Sequence, residues 1–388
     1  MKLRLKVLGL ALATTMFVPL ASAQDNSLGL PSTLALSAYD VGSGGYNQAV
    51  AIGNAFKQKY GINLRILPGK NDVSRTLPLR EGQVAFSANG VGGSYMAQEG
   101  IYDFGQSQWG PQPVRGLLLN NSDQVLTVVA AGDLGIKTPA DLKGKRVAWV
   151  IGSPSLNQNI TAILAFSNLT WDDVKKVEFG GFGAAMDGVA AGQADAAFTS
   201  SISGKAYALA KSPRGIVYPE MNPADKEGWK RLQAIAPFFF PTRGTEGADL
   251  SPEKPAISAS YPYPVLMTYA RQEKDLVKKV MHAMADTFDM YKGAAPGNVG
   301  WGLDRQNLSW VMPYHEGAVE FFKEKGMWTD AHQANNDMLI KRQQVLADAW
   351  KDVKSRKHAN EDAFQADWMK TRAAFLTKAG MDPVMTSW

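Results

Sequence analysis

Apolar runs of strand length alternate with helical patterns in the first part of the chain. Residues 34–39 form a short apolar run, and after a glycine-serine turn residues 48–60 repeat apolar positions at helical spacing. Residues 63–67 alternate as a strand does, a helix opens over residues 71–75, and residues 83–87 predict a third strand. Strands separated by helices are typical of an α/β unit.

The same alternation restarts further along the chain. Residues 114–119 and 124–131 predict strands, and Thr138 followed by Pro139 is typical of a helix start. A helix is also predicted to begin near Leu156. Strand patterns follow at residues 146–151, 176–179 and 194–198, and a helical pattern lies at residues 184–191. A second α/β unit is therefore predicted.

The chain is then predicted to return to the first unit. Order loosens from about residue 218, and residues 263–269 predict a strand that rejoins the first sheet. Three later stretches have apolar stripes at helical spacing and are expected to pack on the first unit, at residues 274–291, 331–357 and 361–376. An inserted unit requires two crossings, which act as a hinge. The predicted fold class is α/β, with two α/β lobes joined by a two-crossing hinge and extra C-terminal helices.

The first 23 residues have the pattern of a secretion leader. Three basic residues precede an apolar run that ends at Ala21-Ser22-Ala23. This pattern predicts a Sec-type signal peptide cleaved near Ala23 and a periplasmic location. The predicted division is a signal peptide over 1–23, the first part of lobe 1 over 24–130, and lobe 2 over 131–235. Residues 236–388 are predicted to contain a linker excursion, the return to lobe 1 and the C-terminal helices.

Charge and cysteine content exclude several classes of function. Three of the 41 lysines and arginines lie in the leader, which leaves 38 against 36 acidic residues. An exported protein whose positive and negative charges are nearly balanced gives no reason to expect nucleic-acid binding. The sequence contains 0 cysteines, which excludes disulfides, thiol catalysis and thiolate metal sites. No cofactor and no metal ion are expected.

Small polar residues and glycines follow the predicted strands of both lobes. Carboxyl ends of parallel strands share one edge of a sheet, where ligands bind. The helices that follow present free N–H groups and a positive dipole end, which suit a carboxylate or a phosphate. The candidate ligand-binding residues are Ser43, Gly44, Gly45, Tyr46, Asn71, Asp72, Arg75, Asn89, Gly90, Ser153, Ser155, Phe182, Thr199 and Ser200.

Arg75 is the first candidate for a carboxylate clamp, because a guanidinium forms bidentate charge-assisted bonds. The alternative is an arginine on the surface of a helix. Arg115 is a weaker candidate, since it begins a strand. Asp72 would favour an amino group on the ligand if it faced the cleft. The candidate aromatic walls, each with plain packing as its alternative, are Tyr46, Tyr95 and Phe182.

Catalysis is not expected. The four histidines fall in the C-terminal third, away from the strand-end loops, and they are His282, His315, His332 and His358. The sequence contains neither H-E-x-x-H nor G-x-S-x-G. Gly42 and Gly44 give G-x-G, but Asn47 stands where a nucleotide fingerprint has its third glycine.

Several stretches carry a family resemblance. Residues 141–147 read Asp-Leu-Lys-Gly-Lys-Arg-Val, and residues 314–326 contain His315, an aromatic pair and a final Lys-Glu-Lys-Gly. Together with the glycine-serine loop and helix over 42–51, these resemble the TAXI family, the extracytoplasmic receptors of TRAP transporters. Glu316 replaces the proline of that family, and residues 68–75 match its second loop only loosely. The family's ligands, such as glutamate and 2-oxoglutarate, therefore transfer poorly.

The resemblance implies a type II periplasmic-binding-protein fold and TRAP membrane permease subunits as partners. The predicted function is a periplasmic solute-binding protein that captures a small organic anion, a carboxylate or an amino acid, for a TRAP transporter. Two alternatives stay open. One is the substrate-binding protein of an ABC importer, and the other is a periplasmic ligand sensor.

Overall fold

Two five-stranded sheets form the centres of two lobes in the computed structural model, which describes residues 26–388. The predicted leader, residues 1–23, lies outside the described residues. The strands are β1 (Thr33–Ala38), β2 (Asn63–Pro68), β3 (Phe86–Asn89), β4 (Val114–Leu119), β5 (Leu126–Ala131), β6 (Arg146–Val150), β7 (Lys175–Phe179), β8 (Ala196–Ser200), β9 (Ile216–Val217), β10 (Phe240–Gly244), β11 (Ala256–Ser260) and β12 (Val265–Tyr269).

Helices cover both sheets and extend the C-terminal end of the chain. They are α1 (Gly44–Tyr60), α2 (Asp72–Arg80), α3 (Ala97–Glu99), α4 (Pro154–Phe166), α5 (Phe182–Ala190), α6 (Gly204–Lys211), α7 (Lys226–Ile235), α8 (Lys274–Asp286), α9 (Phe288–Tyr291), α10 (Glu316–Glu324), α11 (Asp330–Lys354) and α12 (Glu361–Lys378). None of the helices within residues 26–388 combines the length and the apolar character needed to cross a bilayer.

The first sheet has the strand order β2-β1-β3-β12-β4. Strand β1 pairs in parallel with β2 and β3, whereas β12 runs antiparallel to β3 and β4. The prediction that residues 263–269 return to the first sheet is confirmed. Because β1, β2 and β3 are parallel, the loops after them share one edge, which places the glycine-serine loop beside the start of α2.

The second sheet has the order β7-β6-β8-β5-β9, with β6 parallel to both β7 and β8. Strand β5 runs antiparallel to β8 and β9. It falls at the end of the stretch predicted as the first part of lobe 1, yet it pairs in the second sheet. The division of the chain into 24–130, 131–235 and 236–388 stays a prediction.

Two short segments join the sheets and lie side by side. The first runs from β4 to β5 and the second from β11 to β12. The N–H of Tyr263 donates to the carbonyl of Asn120 at 2.9 Å, and the N–H of Asn120 donates to Pro264 at 3.0 Å. The predicted fold class is confirmed as two α/β lobes joined by two crossings.

The C-terminal helices pack against each other and against lobe 1. Helices α11 and α12 enclose a small apolar cluster that includes Leu346, Val353 and Trp368. The indole N–H of Trp368 donates to the carbonyl of Gly100, and Arg342 of α11 pairs with Glu99 at 2.7 Å. These contacts attach the helix pair to the segment that follows β3.

Several element boundaries differ from those predicted. Helix α1 begins at Gly44 rather than Gln48, because the Ser43 side chain caps it by accepting from the N–H of Tyr46 at 3.2 Å. Strand β3 begins at Phe86, because the N–H groups of Gln83 and Val84 both bond to the carbonyl of Pro78 and close α2. Both shifts follow from local hydrogen bonds.

The single helix predicted over residues 274–291 is interrupted. Helix α8 ends at Asp286, and α9 starts at Phe288. The Thr287 hydroxyl between them donates to the carbonyl of Ala283 at 2.7 Å. A threonine that bonds four residues back competes with the helical ladder and bends it.

The loosened stretch after residue 218 contains regular structure. Helix α7 covers part of it, and β10 and β11 form an antiparallel two-stranded sheet joined by the glycine- and proline-rich residues 245–255. Within this stretch, only the connection between the two hairpin strands has the turn-forming composition.

Candidate functional site

A cavity lies between the two lobes, where loops from both sheets meet. It contains about 400 Å³ not filled by atoms, part of which is open to solvent. The predicted site residues that line it are Ser43, Gly44, Arg75, Gly90, Ser155, Phe182, Thr199 and Ser200. The structure therefore brings these eight together, from both lobes.

Two further predicted residues lie directly behind this lining. The Asp72 carboxylate is fully buried, and it accepts from the N–H of Ser155 at 2.9 Å and from the Ser153 hydroxyl at 3.4 Å. The Tyr39 hydroxyl lies 3.0 Å from the Ser153 hydroxyl. Asp72 belongs to lobe 1 and both serines to lobe 2, so this carboxylate links the lobes and does not face the cavity.

The other four predicted residues do not line the cavity. Asn89 turns into lobe 1, where its amide bonds Thr76 and Ser87 and its carbonyl oxygen accepts from Gly90. Asn71 caps α2 by accepting from Ser74 at 2.8 Å. Gly45 borders an apolar cavity in the lobe 1 core, and Tyr46 is half-buried against that core.

The two residues named as weaker candidates also lie elsewhere. Tyr95 packs edge-on against Phe238, with ring centroids 5.8 Å apart. Arg115 bonds the side chain of Gln343, and burial lowers its pKa to about 10. Both residues contribute to the packing between lobe 1 and its neighbours.

Arg75 is held at the cavity by the first turns of α2. Asn71 and Ser74 form a reciprocal cap, which fixes where the helix begins. Asp72 and Arg75 are three residues apart and share a helix face, so Arg75 Nη2 reaches Asp72 Oδ1 at 2.7 Å. The guanidinium carbon lies 4.3 Å from the centroid of the Tyr39 ring.

The Arg75 guanidinium has donors that the protein does not satisfy. Arg75 is only 2% exposed, so it is not a surface arginine. Its Nε and Nη1 atoms are buried and have no hydrogen-bond partner among residues 26–388. A buried donor left without an acceptor carries a large desolvation cost. A carboxylate oxygen of a ligand would satisfy either atom with a charge-assisted hydrogen bond.

Four helices begin at the cavity and point their positive ends toward it. Gly44 opens α1, Ser155 and Leu156 lie in the first turn of α4, Phe182 opens α5 and Ser203 caps α6. Such ends stabilise negative charge. Two of them are already used by carboxylates of lobe 1, since Asp72 accepts from α4 and Asp40 accepts from the Gly183 N–H of α5 at 3.2 Å.

The first glycine loop allows lobe 2 to approach closely. Gly42 has a φ of +86°, and its carbonyl accepts from the N–H of Gly204 in lobe 2 at 2.9 Å. A Cβ on Gly44 would lie 3.3 Å from Ile202 Cγ1, also in lobe 2. Small residues are therefore required where the lobes meet at this loop.

Sequence reasoning missed three tyrosines at the cavity. Burial raises the pKa of Tyr39 and of Tyr261, and it raises the pKa of Tyr263 although the nearby Arg75 acts in the opposite direction. All three therefore remain neutral hydroxyls. Tyr261 and Tyr263 belong to the second crossing and alternate with Pro262 and Pro264, and this repeat was the available signal because proline seldom occupies a central strand.

Apolar side chains complete the lining. Leu126 and Phe198 come from the facing strands β5 and β8, while Leu156 and Phe182 come from α4 and α5. Phe182 also packs against Tyr39 with ring centroids 5.4 Å apart. Within residues 26–388 no group of three or more histidine, aspartate or glutamate side chains is placed to hold a metal ion.

Solved structures with a similar chain path include several binding proteins. A protein from Bordetella bronchiseptica RB50 is 15% identical, covers 79% of this chain and 98% of its own, and has a TM-score of 0.46. The periplasmic aliphatic sulphonate binding protein SsuA from Escherichia coli is 14% identical over 81% of this chain and 88% of its own, with a TM-score of 0.41.

An ancestral arginine-binding protein bound to arginine is 16% identical over 68% of this chain and 94% of its own, with a TM-score of 0.41. No curated protein sequence is significantly similar to this chain. The model of the NMT1-like family matches residues 41–326, which is well over half of the chain, and the protein therefore belongs to the NMT1-like family.

Proposed function

We propose that this protein is a periplasmic solute-binding protein that captures a small organic carboxylate between its two lobes. The observation that carries the proposal is Arg75, whose buried guanidinium lines the interlobe cavity with two donors that no described residue satisfies. The converging helix ends add positive potential at the same place. The ligand-contacting residues proposed are those of the lining, with Asp72 and Ser153 supporting them from behind.

The available interactions are strong enough for useful affinity. A hydrogen bond to a charged group contributes about 1.5–3 kcal/mol, and a favourable helix end contributes about 0.3–2 kcal/mol. Contact with the apolar wall adds the burial of ligand carbon. Micromolar binding needs about −8 kcal/mol in total, to which the Arg75 contact, the helix ends and the apolar wall all contribute.

Binding fits the lining groups better than catalysis does. The hydroxyls come from serine, threonine and buried neutral tyrosine, and the remaining side chains are apolar apart from Arg75. A hydroxyl nucleophile needs an adjacent general base. The described lining contains neither a histidine nor a carboxylate that faces the cavity.

The contacts across the cleft support capture by closure of the lobes. Asp72 and Asp40 of lobe 1 each accept from the first turn of a lobe 2 helix, and Tyr39 reaches Ser153. These contacts hold the two lobes together over the cavity in this arrangement. The two crossings act as a hinge that opens the lobes and closes them on the ligand.

Delivery to a TRAP permease is the finer part of the proposal. It rests on the resemblance of residues 314–326 to the TAXI family, while membership of the NMT1-like family does not itself name a permease. An ABC importer is the alternative. Paired TRAP membrane subunits encoded beside this protein would support the proposal, whereas a permease gene with an ATPase gene would overturn it.

Calorimetric titration and thermal unfolding of the purified protein with carboxylates, sulfonates and phosphate test the binding function. Saturation at a hundred times Kd stabilises the folded protein by about 2.7 kcal/mol, so bound carboxylates will raise Tm. The double variant Asp72→Asn with Arg75→Gln serves as the control, since it removes the guanidinium without leaving a buried charge. Failure of every carboxylate to bind would refute the proposed function.

A further inference from the structure

We propose that the ligand is a monocarboxylate whose remaining atoms are uncharged, and that dicarboxylates and amino acids are excluded. This inference rests on the proposed function and narrows it to one chemical class. It follows from the charges at the cavity, the direction in which the lining hydroxyls donate, and the apolar wall.

The cavity offers a single cation. Of the described residues that line it, Arg75 alone is a lysine or arginine. Arg75 and Asp72 are also the charged groups that act on all three buried tyrosines, Tyr39, Tyr261 and Tyr263. One ligand carboxylate can accept from a free Arg75 donor. A second carboxylate would be buried without a counter-charge, which is very costly.

The rim of the cleft does not supply a second cation for the ligand. Lys205 lies beside Gly42 and Gly183, but its ammonium is 2.6 Å and 2.7 Å from the two carboxylate oxygens of Asp187. Asp40 adds a negative charge at the same rim, where it accepts from Gly183. Lys70 touches Gly181 through its backbone and Cβ and is itself exposed.

An ammonium group on the ligand would lack a carboxylate partner. Asp72 Oδ1 is bonded to Arg75 and Oδ2 to the Ser155 N–H, and the carboxylate lies behind the lining. An amino acid would therefore bring a positive charge beside Arg75 with no carboxylate to receive it. Desolvating an unpaired ammonium is as unfavourable as desolvating an unpaired carboxylate.

Three of the lining hydroxyls accept a hydrogen bond from the protein, whereas the hydroxyls of Thr199 and Ser200 donate to the Ser200 carbonyl and to Gln124 Oε1. Ser43 Oγ accepts from the N–H of Tyr46, Ser203 Oγ accepts from Ala206, and the Tyr261 hydroxyl accepts from the Asn159 amide. The hydroxyl protons of Ser203 and Tyr261 are therefore left to donate, while Ser43 also bonds the Tyr263 hydroxyl. Such donors suit a ligand carboxylate.

The remaining wall suits an uncharged body. Leu126, Leu156, Phe182 and Phe198 face the cavity, and Phe182 and Phe198 are 3% exposed. Carbon placed against these side chains is removed from water and stabilised by the hydrophobic effect.

A matched set of four-carbon acids tests the inference by calorimetric titration of the full protein at neutral pH. The set is butyrate, succinate and 2-aminobutyrate, which share the chain and differ by a second carboxylate or an ammonium. Butyrate is expected to bind at least tenfold more tightly than either of the others. Butyramide, which lacks the negative charge, is expected not to bind.

Two variants separate the contributions. Asp72→Asn with Arg75→Gln is expected to lose butyrate binding, whereas Lys205→Gln is expected to keep both the butyrate affinity and the preference over succinate. Succinate or 2-aminobutyrate binding as tightly as butyrate would overturn the monocarboxylate inference and leave the proposed function standing. Binding by none of these acids, nor by any longer carboxylate, would overturn the proposed function and the inference together.

Discussion

At the scale of single residues, the buried pair of Asp72 and Arg75 sets the chemistry of the cleft. Asp72 is fully buried and Arg75 almost so, and one contact of 2.7 Å joins them. Removing one partner of a buried pair leaves an uncompensated charge, whereas removing both charges together is much better tolerated. The two kinds of variant therefore separate stability from binding.

Arg75→Gln is expected to lower the free energy of unfolding by about 3–5 kcal/mol, because Asp72 then lacks its counter-charge. The double variant with Asp72→Asn is expected to recover most of that loss and still bind no carboxylate. Denaturant unfolding gives the stabilities and titration gives the affinities. A double variant that binds carboxylates normally would show that Arg75 is not the clamp.

His315 acts at the same scale as a pH-sensitive cap. Its Nδ1 accepts from the N–H of Gly317 at 3.1 Å, so the ring proton is on Nε2, which lies 3.1 Å from the carbonyl of Gln272. Burial lowers the pKa of His315, and the Gln272 carbonyl and Glu316 oppose that effect while Arg115 reinforces it. Protonation of Nδ1 would also break the cap of α10.

Because its pKa is lower in the folded protein, His315 takes up a proton more readily when the protein unfolds. Its effect on stability is constant above about pH 6.5, and stability falls as the pH drops below that value. His315→Asn keeps a capping oxygen and removes the titration. Unfolding between pH 7.5 and 5.5 should be less pH-dependent in this variant; equal slopes would contradict the assignment.

The residue types at the strand ends predicted some of the site residues, and the others were identified only from the structure. Arg75 was identifiable as a charged residue after a predicted strand and near a helix start. Tyr39 lies at the end of an apolar run, so the sequence pattern assigns it to the strand and not to the site. Asn89 follows the strand predicted over residues 83–87, but in the structure it is the last residue of β3. Its side chain turns inward because of the register of that strand, which four residues of sequence do not reveal.

At the scale of elements, a buried cluster attaches the C-terminal helices to lobe 1. Glu99 pairs with Arg342 of α11 and Arg372 of α12 and is fully buried. Burial alone would raise the pKa of Glu99, but the two guanidiniums lower it below its ordinary value. The ionised carboxylate thus holds both helices.

Glu99→Gln is expected to lower the free energy of unfolding by about 3–5 kcal/mol, because two buried guanidiniums lose their counter-charge. Glu361→Gln is the matched control, since that carboxylate also joins α12 to lobe 1, through Ser107, but at an exposed position. The control should cost about 1 kcal/mol. Denaturant unfolding distinguishes the two, and equal losses would contradict the role given to Glu99.

Element types followed from the sequence more readily than element boundaries. The apolar stripes of α8, α11 and α12 are long, so their helical period was clear. The start of α1 was missed because Gly44 and Gly45 have low helix propensity, while the cap by Ser43 is decisive in the structure. The break at Thr287 depends on a single side-chain bond that periodicity does not contain.

At the scale of the whole molecule, the proposed function depends on how the lobes meet. Gly152 of lobe 2 has a φ of +69°, and a Cβ there would lie 2.7 Å from the side-chain nitrogen of Asn71 in lobe 1. Gly192 has a similar φ of +76° and open space around it. Alanine variants at Gly152 and Gly192 therefore separate the effect of backbone strain from the effect of obstructing the closed state.

Gly152→Ala is expected to weaken carboxylate binding at least tenfold, because the added methyl group obstructs closure. Gly192→Ala should carry the same backbone cost of about 1–2 kcal/mol in stability and leave affinity unchanged. Titration and small-angle scattering with saturating ligand measure affinity and closure. Equal affinities in the two variants would contradict closure of the lobes as arranged here.

The most direct test of the whole account is a crystal structure of the protein with butyrate bound. The account predicts the ligand carboxylate between the lobes, with one of its oxygens about 3 Å from Nε or Nη1 of Arg75 and its carbon chain against Phe182 and Phe198. A carboxylate bound elsewhere, with the Arg75 donors still unsatisfied, would contradict it.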